Sequence, residues 1–82
     1  MNKEEIIEKT ISILAEEFEV DEEVIQPESI LKDTLGLDSL DYVDLVVTIE
    51  TNFGVKLLEV DFKEVSSFQD FYELIERKLQ AK

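Results

Sequence analysis

The chain has 82 residues, of which 44% are hydrophobic, and its 21 acidic and 8 basic residues give a formal net charge of −13 at pH 7. This length predicts a single domain over residues 1–82, and such an acidic field excludes nucleic acid and anionic membranes as partners while it attracts basic protein surfaces. Because histidine and cysteine are absent, the sequence excludes Ser-His and Cys-His nucleophilic pairs, disulfides and the usual zinc sites, so we expect neither enzymatic activity nor a metal centre.

The sequence also carries no signal for a membrane. No apolar run approaches the roughly 20 residues of a membrane span, and the N-terminus lacks the basic and apolar parts of a signal peptide. We therefore expect a cytoplasmic protein that does not insert into membranes. We also expect a monomer.

The first segment is predicted to form an amphipathic helix over residues 3–17. Asn2 and Glu5 have the spacing of a capping box. Apolar side chains then recur at i, i+4, i+7 and i+11, which places them on one helical face. These residues are Ile7, Ile11, Leu14 and Phe18.

A long loop is predicted over residues 19–37. Asp21 is placed to cap a short turn through Ile25, and Pro27 would stop that turn. So long a loop in a small domain is either functional or well packed, so we expect apolar residues to pin its end to the core. The candidates are Ile30 or Leu31, together with Leu35 and Leu37.

The next helix is predicted over residues 39–52. Asp38 is placed as its N-cap, with Asp41 completing a capping box. Ser39 then occupies the first helical position, where its hydroxyl points outward near the positive end of the helix dipole, a favourable position for a phosphodiester anion. Gly54 can adopt the left-handed conformation that ends a helix.

Two faces are predicted on this helix. A buried stripe is assigned to Leu40, Val43 and Val47 with the neighbouring Val46 and Ile49. The opposite face presents exposed carboxylates, which are Asp41, Asp44 and Glu50.

Residues 55–65 give a mixed signal. Leu58, Val60 and Phe62 alternate as in a strand, whereas Leu58, Phe62 and Val65 have helical spacing. We predict a short helix, because a lone strand would have no ladder partner.

A last helix is predicted from a capping box of Ser67 and Asp70 to about Leu79. Its apolar face consists of Phe68, Phe71, Tyr72, Ile75 and Leu79, and its basic end of Arg77, Lys78 and Lys82. The predicted fold is therefore an all-α, four-helix bundle of three longer helices and one short third helix, with a long loop between helices one and two.

The stretch from Ile30 through Phe53, ILKDTLGLDSLDYVDLVVTIETNF, closely resembles the acyl carrier proteins. In that family a separate transferase esterifies the serine of the Asp-Ser-Leu motif with 4′-phosphopantetheine from coenzyme A. The resemblance implies that Ser39 carries this arm, that Asp38 caps the helix and helps to orient the transferase, and that Leu40 is the apolar contact beside the arm.

The resemblance also implies which proteins would bind the chain. The partners would be a phosphopantetheinyl transferase and acyl-transfer or synthase enzymes, whose basic docking surfaces would bind Asp41, Asp44 and Glu50. Candidate residues for an acyl pocket are Val43, Val47, Phe62, Val65 and Phe71. Carrier proteins commonly have small residues where this chain has Phe62 and Phe71, so we expect shallow sequestration that tolerates short acyl groups best.

Three functions remain open at this point. Strong acidity and a short chain beginning at methionine favour a discrete (type II) carrier in fatty acid or related biosynthesis. A carrier for aminoacyl, peptidyl or polyketide intermediates is the alternative within the superfamily. An unmodified acidic adaptor that binds basic helices is the alternative from another class. An EF-hand-like calcium site is a weaker alternative, because no twelve-residue stretch has the required Asp, Gly and Glu spacing, whereas loose divalent binding by the carboxylates of the second helix stays open.

Overall fold

A computed structural model describes residues 2–81, which form five α-helices and one 3₁₀-helix. The α-helices are α1 (Lys3–Glu17), α2 (Leu31–Leu35), α3 (Ser39–Phe53), α4 (Glu59–Phe62) and α5 (Phe68–Gln80), and the 3₁₀-helix is Glu22–Val24. The all-α class and the three longer helices α1, α3 and α5 are as predicted. No helix within residues 2–81 is both long enough and apolar enough to cross a membrane.

The core lies between the three longer helices, with α1 packed against α5. Its fully buried apolar side chains include Leu14 from α1, Leu45 and Ile49 from α3, and Phe68, Phe71 and Ile75 from α5. The loop segments before and after α2 add further buried residues to this core.

Helix α1 buries a slightly different stripe from the predicted one. Ile6, Thr10 and Leu14 are buried, and the Thr10 hydroxyl donates to the Ile6 carbonyl over 2.6 Å. Ile7, Ile11 and Phe18 are partly buried against the same core. The Asn2 side chain accepts a 2.8 Å hydrogen bond from the Glu5 N–H, so the predicted N-cap is confirmed.

The predicted long connection over residues 19–37 is present, but it contains a short helix, α2, that the sequence analysis did not predict. This single turn ends at Gly36, whose φ of 63° is left-handed, and its two leucines are spaced i, i+4. Leu31, Leu35 and Leu37 are buried as expected, whereas Ile30 is exposed. The 3₁₀-helix follows Asp21 directly, but the Asp21 side chain makes no capping hydrogen bond.

The long connection is also tied by its backbone to the start of α5. An isolated antiparallel bridge joins Ile30 to Ser67. Beside it, the Leu31 N–H donates to the Ser66 carbonyl and the Phe68 N–H donates to the Ser29 carbonyl, each over 3.0 Å. These bonds tie the start of α2 to the start of α5.

Helix α3 buries a face that the sequence analysis predicted only in part, because Ile49 is buried and Val46 partly buried as expected, whereas Leu45 and Phe53 were not predicted. The buried residues are Leu45, Ile49 and Phe53, spaced i, i+4, i+8, and Val46 is partly buried against the core. The helix ends at Phe53, one residue beyond the prediction, and Gly54 follows with a left-handed φ of 70°.

The predicted buried stripe is wrong for Leu40, Val43 and Val47, which are 76%, 59% and 55% exposed. Apolar residues surround much of α3, so two different sets satisfy helical spacing. Packing in the core buries the other set and leaves these three side chains facing solvent.

The short helix predicted within residues 55–65 is confirmed as α4. Asp61 fixes it in place, because its Oδ2 accepts from the Leu58 N–H over 2.8 Å and pairs with Lys78 Nζ of α5 over 3.0 Å. The capping box of α5 is also confirmed, with reciprocal bonds between Ser67 and Asp70. The predicted basic residue Lys82 lies outside the described residues.

Candidate functional site

The start of α3 is held by a complete capping box. Asp38 Oδ1 accepts from the N–H groups of Leu40 and Asp41 at 3.0 Å each, while the Asp38 N–H donates to Asp41 Oδ2 over 3.2 Å. This arrangement fixes Ser39 as the first helical residue, with its side chain exposed. Because Asp38 occupies those two amides, the helix offers an anion at Ser39 its dipole field rather than these two donors.

The opposite end of α3 is capped by a cation from α1. Lys9 Nζ donates to the Asn52 carbonyl over 2.8 Å and lies 5.1 Å from the centre of the Phe53 ring. A positive charge at a helix C-terminus is favourable because it opposes the negative end of the dipole. The motif helix is therefore anchored at both ends.

An open groove of about 510 Å³ begins at Ser39 and runs between α3 and α4. Its surface is mostly apolar. The lining residues are Ser39, Tyr42, Val43 and Val46 of α3, Glu59 and Phe62 of α4, and Lys63. A group attached to the Ser39 hydroxyl would thus begin at one end of an apolar surface.

Two of the five predicted acyl-pocket residues, Val43 and Phe62, line this groove. Val47 faces solvent, Val65 packs partly buried against the core, and Phe71 is fully buried, so none of these three is a lining residue. The sequence analysis missed Tyr42 and Val46 as lining residues. Their spacing of i+3 and i+7 from Ser39 is the signal that places them on the serine's side of the helix.

The exposed side chains Leu40, Val43 and Val47 form a stripe on α3 that we call the outward stripe. At about 100° per residue it lies opposite the buried face of the helix. The same geometry places Asp44 on one side of the stripe and Glu50 on the other, both exposed. Asp41 is partly buried and engaged in the cap of α3, so the three predicted docking acids do not form one cluster.

Comparison with known proteins agrees with this geometry. A family described as "Phosphopantetheine attachment site" matches residues 8–75, a range that includes Ser39. An acyl carrier protein from Thermotoga maritima is 45% identical over 78 residues, covering 95% of this chain and 96% of the relative. The chain belongs to the acyl carrier protein family. Acyl carrier proteins from Thermosynechococcus vestitus and Cyanidium caldarium are 36% and 34% identical, covering 99% and 100% of this chain and 100% and 95% of their own lengths.

Acyl carrier proteins are carriers rather than catalysts, they interact with synthase and transferase enzymes, and their prosthetic group is 4′-phosphopantetheine. The residues at the start of α3 fit this group. The Ser39 hydroxyl is exposed, the helix dipole favours a phosphodiester at that position, and the groove gives an attached chain an apolar surface to follow.

Proposed function

We propose that this chain is an acyl carrier of discrete (type II) fatty acid or related biosynthesis, with 4′-phosphopantetheine attached to Ser39 of a single carrier domain. The observation that supports it most is the exposed Ser39 hydroxyl at the capped start of α3, at one end of the groove. When bound, the group supplies a thiol that holds acyl chains as thioesters.

The proposed cytoplasmic location is tested by cell fractionation.

The environments of the other serines favour Ser39. Ser67 is partly buried and its Oγ accepts from the Asp70 N–H, so its hydroxyl belongs to the cap of α5. Ser12 lies inside α1, and Ser29 is partly buried in the long connection. Ser66 is exposed but precedes α5 by two residues and does not line the groove.

The chain itself would act as a tethered substrate and not as a catalyst. It contains no histidine or cysteine, so no Ser-His pair can deprotonate the Ser39 hydroxyl for attack. Asp38 would hold the helix start in place for the modifying enzyme, and Leu40 would give that enzyme an apolar contact next to the serine.

The docking surface in this proposal is the outward stripe with its flanking carboxylates. An exposed apolar stripe is a common feature of interaction surfaces. Asp44 and Glu50 would attract lysine and arginine side chains of the transferase and of acyl-transfer or synthase enzymes, mainly by raising the association rate. The monomeric carrier would then contact each enzyme in turn through the same stripe.

Intact-mass measurement tests the attachment. The protein is incubated with coenzyme A and a broad-specificity phosphopantetheinyl transferase, and we expect one arm on the wild-type chain and none on Ser39→Ala. The helical circular dichroism of the variant should be unchanged, because the cap depends on Asp38. The control Ser66→Ala should be modified like the wild type, and an arm on Ser39→Ala would contradict the proposal.

The same experiment separates the rival functions. A wild-type chain that gains no arm would be an unmodified acidic adaptor. A modified chain that accepts aminoacyl or polyketide intermediates, and no simple acyl group from fatty acid loading enzymes, would belong to the other carrier classes.

A further inference from the structure

A series of three aromatic rings leads from the groove into the core. The rings of Phe62 and Tyr42 make a T-shaped contact with ring centres 5.1 Å apart and an interplanar angle of 66°. Phe62 also stacks on Phe71, with ring centres 6.3 Å apart. Tyr42 and Phe62 line the groove, whereas Phe71 is fully buried. The Phe62 ring therefore forms the boundary between the groove and the core.

This boundary is held from two directions. The Phe62 ring packs against the core, and its neighbour Asp61 pairs with Lys78 of α5 over 3.0 Å, with side chains only 13% and 26% exposed. A displacement of α4 away from the core would break this ion pair, and any displacement of the Phe62 ring would break its contacts with Tyr42 and Phe71. Behind the ring, Phe71 occupies close-packed space that accepts added volume poorly.

Building on the proposed attachment at Ser39, we propose that Phe62 determines the length of acyl chain that the carrier shelters. A short chain can lie along the apolar groove between α3 and α4. A long chain cannot turn inward past Phe62, so its distal methylenes remain in solvent. Phe62 is a specificity-determining residue that acts by closing the route to the core.

The test compares the stabilisation that acyl chains of different length give to the carrier. Wild-type protein, Phe62→Leu and Phe62→Ala are loaded with butanoyl, octanoyl or hexadecanoyl pantetheine from the matching coenzyme A thioesters. Intact mass confirms loading, and circular dichroism confirms that each variant is folded. The melting temperature of each acyl form is compared with that of the same variant carrying the unacylated arm. A chain that binds only the folded state raises this temperature in proportion to the surface it buries.

For the wild type we expect the melting temperature to rise from the butanoyl to the octanoyl form and then to level off. In Phe62→Leu the hexadecanoyl form should melt about 4 °C or more above the octanoyl form, because additional methylenes become buried. Phe62→Leu keeps most of the apolar packing, so it remains informative if Phe62→Ala does not fold. The control Val65→Ala removes partly buried packing outside the groove and should show the wild-type plateau.

Two results would overturn the proposal. One is a wild-type melting temperature that continues to rise through the hexadecanoyl form. The other is a Phe62→Leu variant whose octanoyl and hexadecanoyl forms melt at the same temperature. If intact mass shows that no arm is attached, the proposed function itself has failed, which is a distinguishable result.

Discussion

Tyr72 of α5 has a side-chain hydroxyl that is buried without a hydrogen-bond partner in the part of the chain that the structure describes. Its ring belongs to the core, close to Phe68 at a centre-to-centre distance of 6.5 Å. Burial also raises the pKa of Tyr72 from 10.0 to about 12, because the phenolate loses its hydration in the core. Burial of the ring stabilises the fold, whereas burial of the unpaired hydroxyl destabilises it.

We expect Tyr72→Phe to leave the free energy of unfolding unchanged or to raise it by about 1 kcal/mol near neutral pH. The raised pKa means that the unfolded chain releases the Tyr72 proton first as the pH rises. The wild type should therefore lose stability between about pH 10 and pH 12, and its deficit against the variant should widen over that range. Urea unfolding at neutral and alkaline pH measures both effects.

Tyr72→Ala is the matched control for the ring. It should cost about 3–5 kcal/mol, as large-to-small changes in a core do. A loss of more than about 1 kcal/mol in Tyr72→Phe would show that the hydroxyl has a bonding partner after all.

At the scale of the helix, the start of α5 depends on one carboxylate. Asp70 Oδ2 accepts from the N–H groups of Ser66 and Ser67 over 3.1 and 3.2 Å. These hydrogen bonds hold the pKa of Asp70 below its usual 3.8. A lowered pKa gives stability that is fully present above about pH 3.8 and is lost as the pH falls through the folded-state value.

Asp70→Asn should therefore lower the free energy of unfolding by about 1–2 kcal/mol at neutral pH. The difference from the wild type should shrink as the pH falls below about 3.8, and it should be smallest below the lowered folded-state pKa of Asp70, where the wild-type side chain is neutral like asparagine. Asp33→Asn, an exposed change in the first turn of α2, should stay within about 0.5 kcal/mol of the wild type at every pH. If the difference in the free energy of unfolding between Asp70→Asn and the wild type stays constant with pH, the charge of Asp70 does not contribute to stability.

The proposed docking face of α3 leads to a kinetic prediction. Asp44→Lys should slow modification of Ser39 by the transferase at low ionic strength, because it replaces attraction by repulsion beside the outward stripe. The difference should diminish as salt screens the interaction. Glu16→Lys, the same charge change on the exposed side of α1, should have a smaller effect. Equal effects of the two variants would show that the net charge of the chain, and not the charge on α3, attracts the transferase.

At the scale of the whole molecule, self-repulsion opposes the fold. The net charge is −13, and within residues 2–81 only three ion pairs form. The acidic side chains of this range do not gather into groups that could hold a metal ion. Ions should therefore act by general screening rather than at one site.

We expect moderate sodium chloride or millimolar magnesium to raise the melting temperature by several degrees. Thermal unfolding followed by circular dichroism across two salt series measures this. The melting temperature should rise in both series, because both salts act by screening. A melting temperature that stays flat or falls would show that repulsion does not limit stability.

The features predicted correctly from the sequence are those whose causes lie within a few residues. The caps at Asp38 and Ser67 use hydrogen bonds between positions two or three apart, and Gly54 ends α3 because glycine accepts a left-handed φ. The same short-range logic places Ser39 at the start of α3. Three long helices and the position of the candidate serine were therefore predictable.

Which face of α3 is buried depended on tertiary contacts. The chain offers two apolar sets at helical spacing, and only packing against the other helices selects Leu45 and Ile49 over Leu40 and Val47. The groove has the same origin, because it requires α4 to be held by Asp61 and Lys78, residues far apart in sequence. Local hydrogen bonding and periodicity determined where the helices begin and end. Long-range packing decided which side chains stay exposed and can contact a partner or an acyl chain.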